Sequence, residues 1–177
     1  QHLSVARQMI VARGEANPDS EVSATFGFLL RWFAYLDLIG RLTSGHKDFP
    51  SITKGLVAYD SEGEHGLQID CLLGFTSRCA SILSKIADLA ALCAPRRFDE
   101  TCNERSGWKP TDDVRQQAEQ LVEDIEHART SSLIKHCPHL QSSEEEEYQW
   151  DSREMAATNE AYHWAGLVHL HRRVLGK

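Results

Sequence analysis

FGFLLRWFAYLDLIGRLTSG, residues Phe26 to Gly45, is the most hydrophobic continuous stretch of the chain. Trp32, Phe33 and Tyr35 crowd into four positions of it. At helical spacing, Phe28, Leu29, Trp32, Phe33, Leu36, Ile39 and Leu42 fall on i, i+3, i+4 and i+7 steps and form one broad apolar stripe. Arg31, Asp37 and Arg41 lie off the stripe. Because the stripe is too broad to rest on one neighbour, the stretch reads as the central helix of an all-α domain.

Working outward, Leu3 to Arg13 reads as a helix closed by Gly14, with Leu3, Ala6, Met9 and Ile10 on one face. Gly45 to Gly66 is a long connection containing Pro50 and the polar run Asp60 to Gly66, and loops of that length are usually lids or binding loops. Leu67 to Cys93 reads as the next helical region. Gly74 costs it about 1 kcal/mol against alanine and predicts a break or a close helix contact. Ala94 to Pro110 is a loop. Thr111 is a good N-cap, with Asp112 and Asp113 complementing the dipole of a helix that runs to about Thr130. His136 to Tyr148 is a third loop, carrying the acidic run Glu144 to Glu147. The last helix is predicted over Arg153 to Leu175, capped by Asp151 or Ser152, with Met155, Thr158, Tyr162, Ala165, Val168 and Leu175 on one face and Trp164, Leu167, Leu170 and Val174 widening it. The expected architecture is an irregular bundle of about five or six helices around the aromatic-rich one, with long loops.

At 177 residues and 20.0 kDa the chain fits one domain. Its net charge of -7 argues against gripping nucleic acid directly, since neutralising phosphates needs a basic face. Five cysteines with no repeated spacing and no CxxC pair read as reduced thiols in a cytosolic or nuclear protein. No signal peptide opens the chain and no apolar run reaches membrane-spanning length. Gln1 has no methionine before it and helical pattern begins at once, which reads as a domain excised from something longer or a processed chain.

Candidate chemistry is thin. His163, His169 and His171 share a predicted helix, but spacings of six, two and eight do not bring two imidazoles onto one ion. His136, Cys137 and His139 form a compact loop group without a second matching set of ligands. Cys79 and Cys93 read as buried, inert thiols. No phosphate-binding glycine loop, nucleophile elbow or metalloprotease helix motif occurs. No catalytic residue, cofactor site or metal ligand is assigned. The candidates for lining a pocket between helices are Trp32, Phe33, Tyr35, Tyr162 and Trp164, with ordinary core packing as the competing reading.

Four segments carry a family resemblance. HLSVARQMIVARG at the start is similar to an HL-x-GA-x-x-LI-x-x-RG segment of the fungal-specific transcription-factor domain, the regulatory region of zinc binuclear-cluster regulators. FLLRWFAYLDLIGRLTSG resembles that family's RWFAYLDV-x-x-x-LS-x-G segment, and this is the most specific match. IDCLLGFTSRCASILSKIADLA resembles its next helix, LLG followed by an amphipathic run. NEAYHWAGLVHLHRRVLG resembles a later segment in which N-x-x-Y/F begins a helix ending in L-x-RRV.

The resemblance implies that the chain, residues 1–177, is part of a regulatory middle domain. The six-cysteine, two-zinc DNA-binding module is absent from this chain, so zinc is expected only in that missing module. By the same resemblance the domain works in the nucleus on RNA polymerase II transcription. It would respond to a small-molecule effector or a protein partner such as a co-regulator, could pair with a second copy, and would reach DNA only through the missing module. A helical adaptor lacking any DNA-binding module, and a helical metal-dependent enzyme using the histidines, are the alternatives.

Overall fold

A computed structural model describes residues 24–44, 64–70, 73–101, 103–132 and 145–177. The predicted helix Leu3–Arg13, most of the Gly45–Gly66 connection and the His136–His139 group lie outside the described residues. Among those residues the chain is helical, with no strand beyond two isolated bridges, Ile69 with Thr76 and Phe98 with Glu104. Helix α1 spans Ala24–Ser44 and α2 Ser77–Arg97, with a short 3-10 turn, Glu64–Leu67, between them. Helix α3 spans Asp112–Ser131, and α4 spans Glu145–His169 before widening into a π-helical turn, Leu170–Leu175.

Among the described residues the hub is α2, and a central place for the aromatic-rich helix is not confirmed. Among the described residues α2 packs against α1, α3, α4 and the π-turn, whereas α1 meets chiefly α2. Ile82, Leu83, Ser84, Ile86, Ala87, Leu89 and Ala90 are all buried, while Lys85, Leu92 and Arg96 lie on the one face left to solvent. A helix buried over most of its circumference belongs at the centre of a bundle. Its alanines, serines and cysteines keep it thin, which lets several helices approach at once.

Helix α1 lies along one side of that hub. Its buried residues are Phe33, Ala34, Leu38 and Leu42, while Leu29, Trp32 and Leu36 stay exposed. The broad predicted stripe is therefore covered along one edge only, and the buried face is rotated towards Leu38, at 1% exposure. Polar contacts fix this register. Arg41 binds Asp88 and donates to Ser84 Oγ at 3.2 Å, and Arg173 from the π-turn donates to the Leu42 carbonyl.

The boundaries of α2 differ from expectation at both ends. The helix starts at Ser77, because Thr76 caps it by accepting from the Cys79 N–H at 3.0 Å. Before it, Gly74 N–H donates to Asp70 O at 2.8 Å and Ile69 bridges to Thr76. Gly74 both breaks the helical pattern and makes a close contact. Its φ is +73°, and a Cβ there would stand 2.7 Å from the Thr158 methyl of α4. At the other end α2 runs through Pro95 to Arg97. The missing N–H removes only one bond near the helix end, and Phe98 N–H still reaches Ala94 O at 2.9 Å.

Helix α3 begins as predicted, with Thr111 Oγ1 accepting from Val114 N–H at 3.4 Å. Helix α4 begins eight residues before the predicted Arg153, at Glu145. Glu145 to Tyr148 are thus helix where a loop was expected.

Its buried face is Asn159, His163, Gly166, Leu167, Leu170 and Val174. Of the predicted stripe, Ala165 and Val168 are solvent-facing, whereas Leu167, Leu170 and Val174 of its widening are buried. Gly166 permits the close approach of α4, since a Cβ there would stand 2.9 Å from Leu83 Cδ2, 3.4 Å from Ile86 Cδ1 and 3.5 Å from Ile125 Cδ1. The π-turn ends at Gly176 in the left-handed conformation, with Lys177 N–H bonded back to His171 O at 3.0 Å.

Candidate functional site

Three of the quoted segments meet at one junction. Tyr35 of α1 and Tyr162 of α4 share a hydrogen bond between their hydroxyls at 3.0 Å. Phe75, at 1% exposure, packs against both, with ring centroids 5.9 Å from Tyr35 and 4.4 Å from Tyr162. Trp32 extends the stack outward, 5.6 Å from Tyr35 and 40% exposed. All three pairs are tilted and lie within the separations at which aromatic rings attract. Burial and the Tyr35 bond push the Tyr162 phenol up to about 12, so it stays protonated at any physiological pH.

Beneath the rings runs a polar strap. Asn159, 4% exposed, accepts from Thr76 N–H at 3.2 Å and donates to Ser132 Oγ at 3.0 Å. One side chain of α4 thereby holds the start of α2 and the end of α3. In a capping box, a glutamate or glutamine three residues into the helix would accept from the cap residue's N–H. Here that position is Cys79, which cannot reach back, and Asn159 supplies the acceptor from another helix. One turn on, His163 Nδ1 lies 2.7 Å from Asn159 O. A carbonyl only accepts, so Nδ1 carries the proton and Nε2 is the bare nitrogen. Nε2 is buried without a hydrogen-bond partner among the described residues, and burial lowers the His163 pKa.

Of the five aromatic candidates, Trp32, Tyr35 and Tyr162 are brought together through Phe75. Phe33 is buried at 6% exposure. Trp164 stands apart and half exposed, its indole N–H donating to Glu160 at 2.8 Å and its ring under the Arg129 guanidinium at 5.5 Å. Two clefts lie elsewhere. One, of about 470 Å³, runs between α2 and α3 over Leu89, Leu92 and Leu121. The other, of about 520 Å³, lies between α3 and the π-turn. Neither is lined by any of the five residues.

Asn159 and Phe75 were missed by sequence reasoning as junction residues. The one available signal was position: Asn159 sits one helical turn from His163 and two from Gly166 on the face that continues into Leu170 and Val174.

The arrangement binds helices together, and its buried thiols are not activated. Burial pushes the Cys79 thiol up to about 12, and it raises Cys93 as well, which is the opposite of nucleophile activation. No group of three or more metal-ligating side chains is assembled among the described residues. His163 faces the core, while His169 and His171 lie on the π-helical end, and the three are not gathered on one point. No helix among the described residues is long and apolar enough to cross a membrane.

No curated protein and no solved structure matches the chain. A family model of the fungal specific transcription factor domain matches it over residues 1–177. That match spans every residue, including Tyr35, Phe75, Asn159 and Tyr162, and the family is one of transcription-factor domains and not of enzymes. The chain belongs to the fungal specific transcription factor domain family.

Proposed function

We propose that this chain is part of the regulatory middle domain of a zinc-cluster transcription factor. In this reading it sets the output of RNA polymerase II transcription in the nucleus, in response to a small effector or a protein partner. The observation that supports the reading is the family match across residues 1–177. Charge is consistent with it. A net charge of -7 suits a domain that leaves DNA contact, and the zinc ions that go with it, to a separate module. The packing is consistent too. Helix α1 is held to the hub along one edge and leaves Leu29, Trp32 and Leu36 outward, an apolar stripe suited to protein contact. An element held on one side can be biased between two positions by whatever binds one of them better.

The test is a fusion. The 177-residue chain is joined to an unrelated DNA-binding module in a fungal host carrying a reporter with the matching sites. The expected result is a several-fold change in reporter output, up or down, against the module alone. Output equal to that of the module alone, with the fusion shown to be present in the nucleus, would overturn the reading.

A further inference from the structure

The cleft of about 520 Å³ between α3 and the C-terminal turn is built by three separate elements. Lys109 and Pro110 enter from the segment before α3, Val122 forms part of the floor, and Leu175 closes it from the π-turn. The unusual backbone at the chain's end helps shape it. The π-turn and the left-handed Gly176 fold Lys177 back over His171, and both line the cleft. A Cβ at Gly176 would stand 3.0 Å from the Trp108 ring, next to the Lys109–Pro110 wall, so this return depends on glycine.

The floor is apolar and the rim is charged with both signs. The ammonium groups of Lys109 and Lys177 come from outside α3, and the carboxylates of Glu119 and Glu123 come from α3 itself. None of the four has an ion-pair partner among the described residues. Arg115, a third cation at the rim, is already engaged by Asp112. The volume lies in the range of small-molecule sites. We propose that this cleft binds a small zwitterion with an apolar body, of the size of a short peptide. Its carboxylate meets Lys109 and Lys177, its ammonium meets Glu119 and Glu123, and its apolar part covers Val122 and Leu175. That such a ligand would be the effector rests on the regulatory reading above; the binding itself does not.

The test uses the purified 177-residue protein and trileucine, followed by calorimetry and by chemical-shift changes in NMR spectra. Two capped forms, N-acetyl-trileucine and trileucine amide, each lack one charge. Free trileucine is expected to bind saturably, and each capped form about tenfold more weakly, the loss of one charge-assisted contact. A Lys109→Ala, Lys177→Ala double variant should weaken free trileucine by a similar factor and leave trileucine amide unaffected. Because these lysines are exposed, the variant should keep the parent's thermal midpoint, which is measured alongside. Absence of saturable binding, or equal binding of the free and capped forms, overturns the site. So does binding that the double variant leaves unchanged. The fusion experiment is independent, so failure here leaves the regulatory reading to be judged by its own reporter.

Discussion

Replacing Asn159 by alanine removes both ends of the strap that joins α2, α3 and α4. Two hydrogen bonds are lost, from Thr76 N–H at 3.2 Å and to Ser132 Oγ at 3.0 Å. A typical intramolecular bond contributes about 1 kcal/mol net, and a buried donor left without an acceptor costs about 1–3 kcal/mol. Thr76 is fully buried at 0% exposure, so water cannot replace the lost acceptor without opening the junction. The two effects overlap, and the expected loss is about 2–4 kcal/mol. For a chain of this length that lowers the thermal midpoint by roughly 4–16 °C.

The assay is urea unfolding followed by helical circular dichroism on the parent, Asn159→Ala, Ser132→Ala and the double variant. Ser132→Ala should cost less than Asn159→Ala, because it touches only one end of the strap. The double variant should cost less than the sum of the two, since each removes the shared bond. An Asn159→Ala loss under about 0.5 kcal/mol, the range of an ordinary surface change, would refute the strap.

Gly166→Val should destabilise the bundle by about 1–3 kcal/mol or more, the cost of overpacking, because its Cβ meets Leu83 and Ile86, both fully buried in the hub; unchanged stability in the same urea assay would show that α4 does not sit that close. At alkaline pH, Cys79 gives a second test. Its thiol pKa is raised from 9.0 to about 12, so from pH 9 upward the unfolded chain loses this proton while the folded chain keeps it. Stability should fall with rising pH across that window by up to about 1.4 kcal/mol per unit from this group, and less in Cys79→Ala. At acid pH the sign is reversed for His163. Its folded pKa lies below 6.5, so the unfolded chain takes up the proton first and stability should fall as pH drops below 6.5. Urea midpoints at successive pH values check this, and His163→Gln should flatten the slope.

Local signals read well from sequence. Thr111 followed by two aspartates announced the start of α3, and the aromatic run announced the helix α1. The hub did not announce itself. Small residues such as Ala87, Ala90 and Ser84 lower the hydropathy of α2, although they are what allow neighbours to close around it. The buried face of α4 was legible only in part, through Leu167, Leu170 and Val174. Asn159 and His163 are polar, so an apolar stripe drawn through the sequence passes them by and lands on Ala165 and Val168. What buries Asn159 is partners 83 and 27 residues away, and no local pattern encodes those distances. The π-turn was equally hidden, since it is held by contacts with other helices, Arg97 of α2 to the Arg172 carbonyl and Arg173 to the Leu42 carbonyl of α1. Of the site, the tyrosines were visible as aromatic residues, whereas their meeting through Phe75 is tertiary.

The account depends most on three family segments converging on one buried ring, that of Phe75. Through-space NMR cross-peaks from its ring protons measure this directly in solution. The account predicts strong cross-peaks to the Tyr162 ring and weaker ones to the Tyr35 ring, matching centroid separations of 4.4 and 5.9 Å. A Phe75 ring with cross-peaks to neither tyrosine would contradict it.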